Sequence, residues 1–233
     1  MKAASIEDFG PARHPGNPLF RRQSAGLYAL LLVTVTALIT GGISRGFGLN
    51  VAAAAPLALA IGVFIVGGAM LRRIGHDRIG GAIEAIGLFI AISITGMLAS
   101  VILASTNFPY VDATLVRADA LLGFRWLPVY RFVEARPALH LASAHVYDTI
   151  QWLPVLVIIL LFATGREARC WTFLLAWVVA VAITLLLFPF FPAIAAGTYF
   201  KAAPLIGVHG HLTWLQVLEG SRSGAIRMLD GQS

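Results

Sequence analysis

The chain has 233 residues, 58% of them hydrophobic and 12% charged, with a formal net charge of +6. Soluble domains carry about 25% charged residues. The composition therefore excludes an ordinary water-soluble globule, and equally a disordered chain, which would be poor in apolar residues. Cys170 is the single cysteine, so no internal disulfide can form. It opens an apolar run and reads as a packed, inert thiol.

Residues 1–24 hold Lys2, Arg13, Arg21 and Arg22 with Pro11, Pro15 and Pro18, and read as a short cytoplasmic tail. It is not expected to be a cleavable signal peptide, because the apolar run that follows is long enough to span a bilayer. Beyond it, residues 23–44, 46–71, 85–111, 149–165 and 170–200 contain no Asp, Glu, Lys or Arg. A spanning helix needs about 20 apolar residues. A backbone in hydrocarbon must satisfy its own hydrogen bonds, and these runs lack the alternation of a barrel strand. The expected fold is therefore all-α: a polytopic membrane bundle forming one domain over residues 25–233. Its five spans are placed near 25–44, 51–71, 83–104, 149–164 and 171–191. The fourth run is short, so its helix is expected to start earlier, near Ala144, with a bend at Pro154.

Basic residues in short loops set the orientation of such a chain. The tail, Arg72, Arg73 and Arg78 after the second span, and Arg166 and Arg169 after the fourth, outweigh Arg45 after the first. The N-terminus is predicted inside and the C-terminus outside. The basic residues lie beside apolar spans, which favours contact with lipid headgroups over nucleic acid. Two outside segments, 105–148 and 193–233, are too long for turns. In the first, a short helix is expected to stop at Gly123. The mixture from Trp126 to Glu134 reads as a segment lying in the headgroup zone. The paired glycines Gly41–Gly42 and Gly67–Gly68 read as helix contacts.

Few residues suggest chemistry. His145 and Asp148 would be neighbours on a helix, a spacing that can orient an imidazole but is more often a simple interfacial pair. His209 and His211 offer two imidazoles but lack a third metal ligand nearby, so no metal or other cofactor is expected. Glu84, near the inner end of the third span, is expected to reach the headgroups beside Arg78. In the tail, Arg222 with Ser221, Ser223 and Gly224 forms a group suited to holding a phosphate. Phosphate-loop, Cys-x-x-Cys, His-Glu-x-x-His and Gly-x-Ser-x-Gly patterns are all missing.

Three stretches together carry a resemblance. Residues 119–126, Asp-Ala-Leu-Leu-Gly-Phe-Arg-Trp, match a D-x-x-L-G-F-x-W signature; residues 188–193, Phe-Pro-Phe-Phe-Pro-Ala, match a proline-rich exit from the fifth span. Arg222-Ser223-Gly224 with Leu229-Asp230 matches an R-x-G…L-D stretch. This set is similar to the type 2 phosphatidic acid phosphatase superfamily, in its inositolphosphotransferase (inositol phosphorylceramide synthase-like) branch. The resemblance implies a six-helix bundle acting on lipid phosphates at the outer face. It implies a nucleophilic histidine that forms a phosphohistidine, a second histidine as acid, an Asp that orients the first, and cations on the phosphate.

The chain departs from that pattern. It contains no Phe-Pro-Ser-x-His and no later Arg…His…Asp motif, and Val129 stands where the wider superfamily has a lysine before Arg136-Pro137. None of His140, His145, His209 or His211 carries the flanking residues of the nucleophile, so the catalytic residues stay unknown and only Arg222 maps to the phosphate. The expectation is a chain that stops before the catalytic motifs and is inactive as written, in a bacterial inner membrane, with membrane lipids and a lipid phosphate as partners. The alternative is a complete, non-enzymatic five-span scaffold or assembly partner. A transporter is disfavoured because none of the apolar spans carries a central charge.

Overall fold

The computed structural model describes residues 18–106, 108–194, 196–202, 209–225 and 228–229. In chain order these form α1 (Pro18–Ser44), β1 (Gly48–Leu49), α2 (Val51–Arg73), α3 (Asp77–Ala104), α4 (Asp112–Leu121), α5 (Trp126–Glu134), α6 (Pro137–Ala163), α7 (Glu167–Leu187), α8 (Ala196–Tyr199), α9 (His209–Ser223) and β2 (Met228–Leu229). Five helices are long and apolar enough to cross a membrane: Ala25–Ser44, Ala54–Arg73, Asp77–Ala104, Pro137–Ala163 and Glu167–Leu187. The all-α bundle expected from the charge-free runs is present. The sheet structure among the described residues is one short parallel pair, Gly48 against Met228 and Leu49 against Leu229.

Several boundaries differ from the reading of the runs: the fifth span, expected at 171–191, runs Glu167–Leu187, and two other helices start early. The third long helix begins at Asp77 rather than 83, with the Asp77 carboxylate in its first turn, where the helix dipole favours it. The fourth begins at Pro137 rather than 149 or 144. Pro137 suits a first helical position, since its missing N–H would have no partner there. Counting charges hid these twelve residues because Asp148 interrupts the apolar run. At the other end of the chain's fifth span, α7 stops at Leu187, just before Phe188-Pro189.

The third long helix is the centre of the bundle. Its Ala85, Leu88, Phe89 and Ile92 share one buried cluster with Leu27 of α1, Ile158 and Phe162 of α6, and Cys170, Trp171, Leu174 and Val178 of α7. The Trp177 indole N–H donates to Ser93 Oγ at 3.2 Å, adding a polar tie between α7 and α3. Cys170 is fully buried, in line with a packing role.

Helices α2 and α3 form a hairpin whose backbones nearly touch. A Cβ on Gly68 would stand 2.5 Å from the Glu84 amide nitrogen and 2.6 Å from the Gly80 carbonyl oxygen. Small residues at such a crossing replace the hydrophobic drive that lipid removes. Gly42 also makes a contact, 3.2 Å from Ile102 Cδ1, whereas Gly67 and Gly41 do not border another helix.

That close approach places Arg72 against Glu84. The two form an ion pair at 2.6 Å, with Glu84 2% exposed. The Tyr28 hydroxyl of α1 donates to the other Glu84 oxygen. The Arg72 guanidinium also lies 6.0 Å from the Trp171 ring centre. Glu84 therefore turns inward to Arg72 and Tyr28. The expected outward reach beside Arg78 is corrected.

Gly68→Ala should lower resistance to denaturing detergent by about 1–3 kcal/mol, because the added methyl forces two backbones apart. Gly67→Ala should leave it unchanged or slightly higher, since a methyl there meets no neighbouring helix. Arg72→Ala and Glu84→Ala should each cost about 3 kcal/mol, since each strands a buried partner. The double variant should cost clearly less than the two together in the same unfolding titration.

Candidate functional site

The end of the bundle that carries α4 and α5 gathers the sequence-predicted phosphate group and is here termed the site end. Its framework is two segments leaving the long helices. After α3, residues 108–112 run beside residues 190–194, which follow α7. The Phe108 and Phe190 rings meet at 5.6 Å, and the Val111 amide donates to the Pro192 carbonyl at 3.0 Å. Asp112 is buried, and both its oxygens accept the Ile194 amide at 3.1 Å. A charged acceptor on a buried N–H is a strong tie.

The helix α9 docks on this framework. Val217 packs against Phe47, Val101 and Ile102, and Leu218 is buried. The buried Ser221 hydroxyl is spent on its own helix, donating to the Val217 carbonyl at 2.7 Å. Arg222 Nη2 donates to the Phe108 carbonyl at 2.7 Å, and the guanidinium stands over the Tyr110 ring at 4.3 Å. Cation–π contact and a charged hydrogen bond fix its plane. Arg222 is thus held at the mouth of the bundle, half-buried, as a clamp between α9 and the segment after α3. The β1–β2 pair ties the following Met228–Leu229 to the connection between α1 and α2.

Helices α4 and α5 lie at this same end, tied in through Asp112 and Trp126. The first ends at Leu121, and Gly123 takes a left-handed φ of +80° that only glycine adopts freely, which delivers the expected stop. In α5, Trp126 stacks on Tyr130 at 4.9 Å and on Phe200 beyond α8 at 5.7 Å. The Tyr130 hydroxyl donates to Glu134 Oε1 at 3.2 Å. Burial and the Glu134 carboxylate hold the Tyr130 phenol above its ordinary pKa. Arg136 Nη1 donates to the Phe132 carbonyl at 2.9 Å and the guanidinium lies 3.7 Å from the Phe132 ring centre.

The histidines do not converge on Arg222 in any contact among the described residues. His145 and Asp148 are both exposed on α6 and make no hydrogen bond or ion pair with each other. His140 Nε2 is buried without a hydrogen-bond partner among the described residues. His209 and His211 begin α9, and their side chains, like the whole of Arg227 and Asp230, lie outside the described residues. No group of His, Cys, Asp or Glu that could hold a metal occurs among the described residues.

Sequence reasoning missed Asp112, Phe108 and Tyr110 as partners. Asp112 did give a signal, because it is the first charge after a long apolar run. Tyr110 and the Phe108 carbonyl gave none, since cation–π and backbone contacts leave no spacing to read.

A family model described as "PAP2 superfamily" matches residues 113–232, slightly more than half of the chain. The chain belongs to that superfamily, and with five spanning helices it is an integral membrane protein. The matched stretch covers nearly all of α4, the whole of α5 to α9, and β2, and so most of what builds the site end. No curated protein and no solved structure matches the chain.

Asp112→Ala should leave the part-buried Ile194 amide without its acceptor. The expected loss is about 1–3 kcal/mol in a thermal or chemical unfolding curve of the detergent-solubilised chain. Asp112→Asn, which keeps an acceptor oxygen, should recover part of it.

Proposed function

We propose that the chain serves lipid-phosphate chemistry in the inositolphosphotransferase-like branch of the superfamily, at the outer leaflet of a bacterial inner membrane, with the N-terminus cytoplasmic. The observation that carries this reading is the superfamily match across the elements of the site end. Charge asymmetry of the short loops supports the orientation. The D-x-x-L-G-F-x-W stretch, which spans the end of α4 and the start of α5, supports the branch.

Arg222 is the proposed phosphate ligand. A guanidinium carries five N–H donors in one plane, suited to two phosphate oxygens at once. Its contacts with Phe108 and Tyr110 hold that plane at the mouth of the bundle. Orientation fixed before binding lowers the ordering cost when a phosphate arrives. In the superfamily's chemistry a histidine then attacks phosphorus and splits one difficult step into two. These 233 residues hold no Phe-Pro-Ser-x-His to supply it. The chain alone is therefore proposed to bind a lipid phosphate without turning it over.

A second reading, a non-enzymatic scaffold or assembly partner, is favoured by the clamping contacts of Arg222, which suffice to explain that residue without any ligand. One pair of assays separates the two. The purified chain in detergent micelles, given phosphatidic acid or a generic phosphomonoester, should release no phosphate; turnover refutes the proposed inactivity. Phosphatidic acid should bind more tightly than phosphatidylcholine, and Arg222→Ala should weaken it by roughly tenfold or more, the value of a charged hydrogen bond. Equal binding of both lipids, unchanged in Arg222→Ala, supports the scaffold.

A further inference from the structure

The helix α6 changes character halfway along one face. Residues seven apart on a helix lie nearly one above the other, since two turns take 7.2 residues. Asp148, Val155 and Phe162 form one such line, and Gln151 and Ile158 form another beside it, with Tyr147 and His140 above. In the half of α6 nearest α7, this face is core: Ile158 and Phe162 are buried in the central cluster. In the site-end half, Tyr147, Asp148 and Gln151 on the same face are exposed.

The polar side chains of α6 divide accordingly. On other faces, Ser143 and Thr149 return their hydroxyls to their own helix, at the Leu139 and Val146 carbonyls, 2.8 and 2.7 Å away. On the core-directed face, His140 Nε2 is buried without a hydrogen-bond partner among the described residues, and no hydrogen bond to another described residue is made by the side chains of Tyr147, Asp148 or Gln151. Thr164 and Arg166 follow α6 directly and set its far end at the headgroups. At about 1.5 Å per residue, Gln151 stands about 18 Å and Asp148 about 22 Å from Ala163. Both lie within a hydrocarbon layer about 30 Å thick. A carboxylate facing lipid there is costly, and an unpaired amide adds to the cost.

We infer that the site-end half of α6 walls a water-filled cleft, open at the end that carries α4 and α5, which admits small hydrophilic solutes to a depth of several turns. Water is the occupant that meets a carboxyl group, an amide, a phenol and an imidazole nitrogen together without requiring a fixed geometry. Pro154 stands where the two halves join. Its missing N–H leaves the Ile150 carbonyl without a helical partner, which lets the helix lean away from the core above that point. The cleft does not depend on Arg222 binding phosphate.

The test is thiol accessibility in proteoliposomes of the full chain, with buried Cys170 of the parent as the blank. A charged, membrane-impermeant methanethiosulfonate is supplied on both sides of the vesicle wall. Ala144→Cys and Gln151→Cys should react roughly tenfold or more faster than Leu153→Cys and Leu156→Cys on the opposite face, because a thiol ionises only where water reaches it. Ala144→Cys replaces one small residue by another and keeps the test open if Gln151→Cys fails to fold. Rates as slow as those at Leu153→Cys would overturn the cleft in favour of lipid or another protein. So would a disulfide-linked dimer through Gln151→Cys, which would put a second copy on this face.

Discussion

Burying Glu84 is the constraint on which the bundle turns. A carboxylate taken out of water costs several kcal/mol unless a cation and further donors surround it. Arg72 and Tyr28 supply them, and they come from two other helices. The pair can close only if α2 and α3 approach until their backbones touch, which Gly68 and Gly80 permit. Arg72 in turn rests beside Trp171 of α7. One ion pair thus fixes the mutual register of α1, α2, α3 and α7. Lipid offers no hydrophobic drive to do so, and apolar packing alone tolerates sliding.

The site end is held by a different economy. Its ties join segments that leave the long helices, and most of them involve a backbone group: Asp112 on the Ile194 amide, Val111 on the Pro192 carbonyl, Arg222 on the Phe108 carbonyl. Aromatic rings fill the gaps, from Phe108 on Phe190 to Trp126 on Phe200. Such contacts suit chain that runs at the level of the headgroups, where water is near and a backbone amide needs a named partner. They also draw distant parts of the sequence together. Arg222 meets the segment after α3, and Met228–Leu229 meets the connection after α1. The second half of the chain, which carries the superfamily match, is thereby seated on the first half, which does not.

What was legible in the sequence follows from these two regimes. The long helices could be read because hydrocarbon excludes charge, and an absence of charge over twenty residues is a signal that survives without homologues. The same criterion failed at α6, where Asp148 sits inside a spanning helix and cut the apparent run short. It misjudged Glu84 for a related reason. The residue stands near the end of its run, and nothing in the spacing tells a carboxylate that reaches water from one that finds an arginine on the preceding helix. The turn at Gly123 was legible because a positive φ needs glycine. Arg222 was found through its flanking small residues and the family pattern. Its actual contacts, a carbonyl and a ring more than a hundred residues away, were beyond any local reading.

The two exceptions to the charge rule, Glu84 and Asp148, then separate structure from function by physical means. Both are carboxylates in helices that span. Glu84 is enclosed, paired and bonded from two sides, so its charge is spent on holding helices together. Asp148 has no such partner among the described residues, and it stands on a face that is core from two turns below it. A chain that had only to stay folded would gain by an apolar residue there, since the same face accepts Val155 and Phe162 without cost. Retaining a carboxylate, an amide and a phenol above them is a stability loss with no structural return within this chain. That loss makes sense where the bundle must keep a polar lining open to the aqueous side, at the same end where α9 presents Arg222. The polar half of α6 and the Arg222 clamp thus rest on different principles. One is held open by groups that need water, and the other is held rigid by groups that have already found their partners.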